Sequence, residues 1–316
     1  MKFSVIIPAY NAAATIDRTI RSVLEQTLRP FEILVLDDGS TDDTLARLRA
    51  YEPQATIFST ANGGVSQARN FLYEKARGEI IAFLDNDDVW PPNYLETQSS
   101  ILTSHPRAVA SMTGYFNFRE DGQLHWPELA HNWATQVELL EPLAFFRRYN
   151  RSPVLFLPSF CCIPRAVLAR FGREPFLKEL KGTDDFFLFN ALSLQGPIAY
   201  FAHAVGAYRL TTGSISSDRQ FIIKEMLKAQ TLLEERTGVI SSQLLATEYF
   251  SASAALRRNY ARFLMGAGKS AEARAQLRVA LRTPAGGPSK VKSLGLYFVT
   301  CLPKGVQPQW PASIRS

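Results

Sequence analysis

Four short apolar runs punctuate the first hundred residues: "FSVIIP" (3–8), "EILVLD" (32–37), "ATIFST" (55–60) and "EIIAFL" (79–84). Three of them lack polar alternation and are rich in β-branched residues, the pattern of strands buried on both faces as in a parallel sheet; 55–60 is weaker. Between the runs the period changes to that of a helix. Residues 15–27 place Ile16, Ile20, Val23 and Leu24 on one face, with Thr15 in position to cap. Residues 42–51 and 66–77 behave similarly, the latter followed by Gly78. Strand then helix, repeated at roughly 25-residue spacing, predicts an α/β doubly wound layer.

Past residue 100 the pattern loosens. Short apolar runs such as "AVASM", "PVLFLPSFCCI" and "AYFAHAVGAYRL" alternate with polar and aromatic loops, which predicts mixed sheet. "GTDDFFLFNAL" (182–192) reads as a loop entering a helix with Phe186, Phe189 and Leu192 inward. After Ser216 the period is helical. Ile222, Met226, Ala229 and Leu233 share one face; Leu245, Tyr249, Leu256, Tyr260 and Phe263 share a second; Ala273, Leu277 and Leu281 share a third, capped by Ser270. "TPAGGPS" (283–289) reads as a linker before a last amphipathic stretch, "KVKSLGLYFVTCL". The division expected is a first domain at 1–216, with halves at 1–100 and 101–216, and a helical region at 217–316. One helical pair does not make a repeat array.

In doubly wound sheets ligands sit beyond the carboxyl ends of the strands. Here those ends carry "PAYN", "DDGSTDD", "NGG" and "DNDD", so topology alone gathers Asn, Asp, Gly and Tyr on one edge. The last of these is the most demanding. Asp85, Asp87 and Asp88 stand within four positions and repel one another unless a positive charge sits among them. A divalent cation with oxygen ligands, Mn²⁺ or Mg²⁺, meets that need, and such ions take one or two carboxylates and leave room for phosphate. A solvated loop capping a helix is the plainer alternative. "DDGSTDDT" (37–44) serves equally as a turn and cap, and its ligand spacing and missing terminal Glu exclude an EF-hand. "NGGVSQARN" (62–70) is not a dinucleotide fingerprint; its Arg69 could face a diphosphate or brace the scaffold.

Charge and composition sharpen this picture in two ways. The net charge of +6 conceals eleven Lys and Arg against the single acid Glu272 from residue 257 onward, +10, so the remainder, with the acid-rich strand ends, carries −4. Three cysteines, two of them the adjacent Cys161 and Cys162, imply no disulfide framework and no zinc spacing, which points to a reducing cytoplasm. The apolar N-terminal run stops at Pro8, too short for a secretory leader, and no run of about 18 apolar residues crosses a bilayer.

Taken in order, "SVIIPAYN", "DDGSTDDT", "NGGVSQARN" and "GEIIAFLDNDDVWPPNYL" resemble the family 2 inverting glycosyltransferases of the GT-A (nucleotide-diphospho-sugar transferase) fold. The resemblance is specific over 3–95 and looser to about 216, through "GTDDFFLFNAL" and "YRLTTGSIS". It implies a three-layer α/β/α architecture with a mostly parallel central sheet, followed by a helical C-terminal extension. It also implies roles. Pro8, Ala9, Tyr10 and Asn11 would hold the nucleotide, with the Tyr10 ring against the base. Asp38 would accept from the base imide, and Arg69 would lie near the base or diphosphate. Asp85, Asn86 and Asp87 form the DxD element, with Asp87 the more direct metal ligand beside Asp85. Asp184 and Asp185 occupy the position of the catalytic acids, Asp184 as a helix cap and Asp185 as general base. Inversion by direct displacement needs no protein nucleophile, only a base at the acceptor hydroxyl and charge stabilisation at the departing diphosphate.

The chain departs from the family pattern where a His often follows "YR"; here Tyr208-Arg209 is followed by Leu210, Thr211 and Thr212. Thr211, Ser214 or water are the available substitutes at the metal or diphosphate, and His203 reads as core. On the acceptor side Trp90 is the leading candidate for stacking on a sugar ring. The resemblance implies a nucleotide-sugar donor, a uridine one by preference, and a glycan or lipid-linked acceptor in bacterial surface polysaccharide synthesis. A non-catalytic sugar-nucleotide-binding protein on the same scaffold is the alternative. Lys290, Lys292 and Lys304 flank "LGLYFVTCL", so the tail could meet the anionic inner face of the cell membrane, or pack on its own domain or in an oligomer. No nucleic-acid motif accompanies the basic charge.

Overall fold

In a computed structural model of the chain, residues 1–119, 122–128, 133–211 and 218–301 are described. The apolar runs of the first hundred residues become β1 (Phe3–Ala9), β2 (Glu32–Asp38), β3 (Thr56–Thr60) and β4 (Ile80–Phe83). All seven residues of β1 and all four of β4 are buried, as expected of strands covered on both faces. β3, the weakest run, is an edge strand with exposed positions. The intervening helices are α1 (Ile16–Leu24), α2 (Thr44–Arg49), α3 (Val65–Lys75) and, after β4, α4 (Tyr94–Ser104).

β2 and β4 flank β1, and β3 flanks β2, all parallel. The chain therefore winds outward from β1 to β3, then returns to the far side of β1. That reversal creates a switch point between β1 and β4, the crevice where ligands bind in open α/β sheets. The sheet has a mixed second half: β5 (Ala110–Phe118), β6 (Val137–Leu140), β7 (Cys161–Pro164) and β8 (Ile198–Arg209). Its order is β3-β2-β1-β4-β7-β5-β8-β6, with β7 antiparallel to both β4 and β5. α5 (Pro142–Arg151), α6 (Arg165–Leu168) and α7 (Asp184–Ser193) fall among these strands. α7 is helical from Asp184, and Phe186, Phe189 and Leu192 are buried as their spacing predicts.

Two local expectations are corrected. Thr15 precedes α1 but makes no side-chain cap; its hydroxyl donates to the Ala12 carbonyl, closing a turn. Gly78 does not close the third helix, which ends at Lys75. It sits where a Cβ would lie 2.7 Å from the Ser4 amide nitrogen and the Lys2 carbonyl oxygen, so only glycine lets this segment lie against β1.

The chain divides into two compact units. The first holds Met1–Phe145 and Ser152–Thr212, and the second Phe146–Arg151 and Gly213–Ser316. The sequence places the break near 216 but gives no sign that the last residues of α5 cluster with the helical unit. That unit also contains α8 (Arg219–Thr237), α9 (Gln243–Gly266), α10 (Ser270–Arg282) and α11 (Gly287–Cys301). Its core joins Tyr260, Leu264, Leu277 and Leu296. The supposed linker ends inside α11, whose first turn starts at Gly287.

Candidate active site

The ends of β1 and β2 are tied together before any ligand is considered. Asn11, in the left-handed region at φ 48°, accepts from the Thr41 amide at 2.8 Å, while its own amide donates to Ser40 Oγ at 3.0 Å. Asn and Asp tolerate this conformation better than most residues. Gly39 (φ 71°) is required on a second count, since a Cβ there would stand 2.6 Å from the Asn62 amide nitrogen. Asp42 accepts from the Ala13 and Thr44 amides, as a residue near a helix start does.

Register puts Ala9, Asp37 and Ser59 in one row across three strands. Asp37 and Asp38 are both buried. Asp38 accepts from the Gly63 and Gly64 amides, one to each carboxylate oxygen, both at 2.8 Å. These bonds fix the carboxylate and leave each oxygen further acceptor capacity. Pro8 and Ala9 are buried in the strand, whereas Tyr10 just beyond is 47% exposed.

Arg69 carries the most consequential contacts. It is 4% exposed. Its Nη2 donates to Asp85 Oδ1 at 2.7 Å and its Nη1 to Asp184 Oδ2 at 2.9 Å. One guanidinium thus joins the end of β4 to the start of α7, Asp184 lying 115 positions from Arg69 along the chain. Burial opposes its charge, but Asp85, Asp184 and Asp185 outweigh that and hold its pKa above the ordinary value. Each terminal nitrogen donates to one carboxylate, so Arg69 braces the acids, the second of the two roles its position in the sequence allows, and it stands beside Asp85 of the DxD element.

The DNDD loop is gripped from three sides. The Thr19 hydroxyl of α1 donates to the carbonyls of Asn86 and Asp88 at 3.1 and 2.9 Å. The Asp85 amide donates to Ser159 Oγ at 3.0 Å. Val89 exchanges backbone hydrogen bonds with Ala207 of β8, and the Arg209 amide donates to Asp88 Oδ1 at 2.9 Å. Arg209 Nε also donates to the Asp87 carbonyl at 3.1 Å, and its guanidinium lies 4.5 Å from the Phe118 ring centre. Sequence reasoning assigned Arg209 no role; the signal was the "YR" pair, read only for the His that does not follow it.

Crowding leaves its mark on protonation. Burial and then the Asp85 charge push Asp87 up to about 6, against the opposing pull of Arg209 and a hydrogen bond from the Thr211 hydroxyl. Asp88 is also raised, well above the ordinary carboxylate value, by burial, Asp87 and Asp85, and its Oδ2 is buried without a hydrogen-bond partner among the described residues. Asp185, at the N-terminus of α7, is pushed up to about 7 by burial and by Asp184, with Arg69 opposing. Five carboxylates therefore face two guanidinium groups, and the residual negative charge is what a cation would neutralise. The carboxylate oxygens of Asp85 and Asp87 are hard donors of the kind that would hold a divalent ion such as Mn²⁺ or Mg²⁺, although among the described residues no group of three or more His, Cys, Asp or Glu side chains is placed to hold one. The Thr211 hydroxyl bonds Asp87; Ser214 lies outside the described residues. His203 stacks on Phe201 at 5.6 Å, and its Nε2 is buried without a hydrogen-bond partner among the described residues.

Trp90 is corrected outright. It is 2% exposed, its Nε1 donates to the Ser159 carbonyl at 2.6 Å, and its ring stacks on Tyr94 at 4.2 Å. The Val89–Ala207 bridge closes the loop, and the indole falls into the core where both its apolar area and its N–H are satisfied. It presents no face to a sugar.

A switch-point crevice with convergent strand-end carboxylates, in a mostly parallel sheet with flanking helices, defines a GT-A nucleotide-diphospho-sugar transferase fold. Comparisons with known proteins agree. Residues 4–172 match the family described as glycosyl transferase family 2. The chain is 38% identical over 227 residues to the putative teichuronic acid biosynthesis glycosyltransferase TuaG of Bacillus subtilis (strain 168), an alignment covering 68% of this chain and 82% of that one. It is 29% identical over 220 residues to the UDP-Glc:alpha-D-GlcNAc-diphosphoundecaprenol beta-1,3-glucosyltransferase WfgD of Escherichia coli, covering 68% and 80% respectively. Among solved structures, S. aureus TarS 1-349 in complex with UDP-GlcNAc superposes with a TM-score of 0.65 at 18% identity, over 95% of this chain and 90% of that one, a likeness of fold. The chain belongs to glycosyl transferase family 2 and is a glycosyltransferase.

Proposed function

We propose that the protein transfers a sugar, with inversion, from a uridine-diphospho-sugar to a hydroxyl of a glycan or lipid-linked acceptor in bacterial surface polysaccharide synthesis. One observation carries this reading: Arg69 draws Asp85 and Asp184 to a single guanidinium, so the DxD loop and the Asp184–Asp185 pair share one site. The names of TuaG and WfgD support the pathway class, and the UDP-sugar bound by TarS supports the donor.

Pro8, Ala9, Tyr10 and Asn11 bind the nucleotide, the exposed Tyr10 ring lying on the base. Asp38, held rigid by two amides, accepts from the imide. Asp85, Asn86 and Asp87 line the diphosphate, and Asp87, assisted by Asp85, would hold a divalent metal. When bound, that ion supplies charge neutralisation to the diphosphate. Asp185 accepts the proton of the acceptor hydroxyl as its oxygen bonds to the anomeric carbon. The bond from that carbon to the β-phosphate oxygen breaks on the opposite face, and uridine diphosphate leaves with the bonding electron pair. Asp184 holds Asp185 in place through Arg69 and helps keep its affinity for a proton high.

The experiment is a thermal-shift titration with UDP in the presence and absence of Mn²⁺. The parent chain is expected to gain a metal-dependent increment, and Asp87→Ala to lose that increment while keeping the shift from nucleotide alone. Equal metal increments in both proteins would remove Asp87 from the metal site.

Membrane contact is a second component, favoured by one feature of α11. Val291, Leu294 and Phe298 are 70%, 45% and 63% exposed, an apolar row on one helical face. The exposed Lys290 and Lys292 stand beside it, and α11 contains no acid. That combination matches an anionic lipid surface. Among the described residues no helix is long and apolar enough to cross a membrane. Phe298→Glu is expected to reduce co-sedimentation with phosphatidylglycerol vesicles and to leave transfer to a soluble acceptor intact; undiminished sedimentation would count against the contact.

A further inference from the structure

The strand-end site leaves one strongly charged cavity unexplained. It lies within the helical unit, encloses about 480 Å³, and is lined by the last residues of α5, the middle of α9 and the start of α11. Arg147, Arg151, Arg258 and Lys292 face it, against the single carboxylate of Glu248. That carboxylate is already engaged: Glu248 Oε1 accepts from Arg147 Nη2 at 2.7 Å and Nε at 3.0 Å. The other three cations line the cavity with no acidic partner among the described residues.

Arg258 is the unusual member. It is 8% exposed, yet its protein partners are all neutral. Its Nη1 donates to Ser289 Oγ at 2.8 Å, Ser293 Oγ at 3.1 Å and the Ser289 carbonyl at 3.2 Å. Its Nε and Nη2 have no hydrogen bond to the described residues. Burial and the neighbouring Arg262 both press against its charge. A guanidinium kept in such a place without a counter-charge is costly. The serine bonds hold it in one orientation, with the remaining donor edge available to an anion. α11, fifteen residues long, starts at the cavity wall with Gly286, Pro288 and Ser289, adding the positive end of its dipole.

The volume and the remaining wall narrow the class of ligand. A single inorganic ion would leave most of 480 Å³ unfilled. The half-buried Ala252 and Ala255 present an apolar side, which suits the C–H face of a sugar ring, while the exposed Asn259, whose Oδ1 accepts from Arg262 Nη1 at 2.8 Å, offers its Nδ2 to a hydroxyl. We infer that this cavity is a binding site for a phosphorylated sugar, the phosphoryl group held by Arg258, Arg151 and Lys292 and the ring set against the Ala252–Ala255 side. Charge-assisted hydrogen bonds from two guanidinium groups recognise phosphate oxygens with good geometry. The site is separate from the strand-end crevice and does not depend on the catalytic reading above.

Calorimetric titration of the full chain at fixed ionic strength tests this with three probes: glucose 1-phosphate, inorganic phosphate and glucose. Glucose 1-phosphate is expected to bind saturably and more tightly than either of the others. Arg151→Glu/Lys292→Glu, two changes at exposed positions that spare the fold, is expected to weaken that binding by at least about tenfold, on the order of 1.4 kcal/mol. The same variant should keep the thermal shift given by UDP with Mn²⁺. Asp87→Ala should leave the glucose 1-phosphate isotherm unchanged, which separates this site from the donor site. Inorganic phosphate binding as tightly as glucose 1-phosphate would overturn the sugar component. Unchanged affinity in the double variant, or heats no larger than dilution, would overturn the site itself.

Discussion

Asp185→Asn is expected to lower kcat by about 10²–10⁴-fold, the range a positioned general base contributes, while KM for the nucleotide sugar stays near that of the parent. The reasoning starts from position. Asp185 opens α7, where its Oδ1 accepts from the Phe186 amide at 2.7 Å, so one carboxylate oxygen is anchored and the other is available to the acceptor. Asparagine preserves size and the anchoring bond but cannot take a proton. A structural role would show as a lower unfolding temperature and a raised KM; a basic role shows as lost kcat in a folded protein. A loss under tenfold would remove Asp185 from the chemistry.

The pH profile gives an independent check. Asp185 is pushed up to about 7, and transfer needs it ionised. Activity should therefore fall on the acid side through this value. In Asp185→Asn the step near 7 should vanish. Stability runs the opposite way. Between the ordinary carboxylate value and about 7, the folded protein holds a proton on Asp185 that the unfolded chain has released, so stability declines as pH rises through this window and levels off above it. Asparagine carries no such penalty. The variant should unfold at a higher temperature than the parent at pH 8, with little difference near pH 4. A variant both less active and more stable is the signature of a residue kept for function.

Legibility in the sequence followed locality. β1, β2 and β4 were readable because a strand covered on both faces writes its burial into consecutive residues, and the intervening helices write theirs with a 3.6 period. The polar strand ends followed from topology, since a parallel sheet gathers them on one edge. From residue 110 onward β7 enters between β4 and β5 in the opposite direction; which strand pairs with which depends on contacts far along the chain, and four-residue strands such as β6 and β7 carry too few positions for a period. Trp90 shows the same limit on a single side chain. Next to acids it reads as exposed, but the Val89–Ala207 pairing turns it inward. Arg69 is visible as a brace or a diphosphate contact, but not its partner Asp184, 115 positions away; Ser159 is opaque because "PSF" has no periodic signature. Arg209 was visible in "YR" and undervalued. The DNDD crowding suggests either a metal ion or a solvated capping loop in the sequence, whereas in the structure Arg69 and Arg209 already offset part of it, so a divalent cation would have to balance only what two guanidinium groups leave over.

That shared burden makes Arg69 the position where a single substitution should do the most structural damage. Arg69→Met retains the length and apolar stem but removes the charge that Asp184, 1% exposed as a side chain, depends on. An exposed ion pair lost in this way costs about 0–1 kcal/mol; a buried carboxylate left without its partner costs about 3–5 kcal/mol. The burial of both groups places this pair in the second regime. The expected result is a large fall in the urea midpoint at pH 7.5, accompanied by loss of transfer as β4 and α7 come apart. Arg69→Met/Asp184→Asn should recover part of the stability, because the stranded charge is gone, and recover no activity, because the start of α7 is no longer tied to Asp85. A single-variant loss within the exposed-pair range would mean that water reaches Asp184, and the brace would then be no more than one surface pair among many. Full stability with full activity in Arg69→Lys would also sink it, since an ammonium group cannot span two carboxylates with the fixed fork that the guanidinium provides.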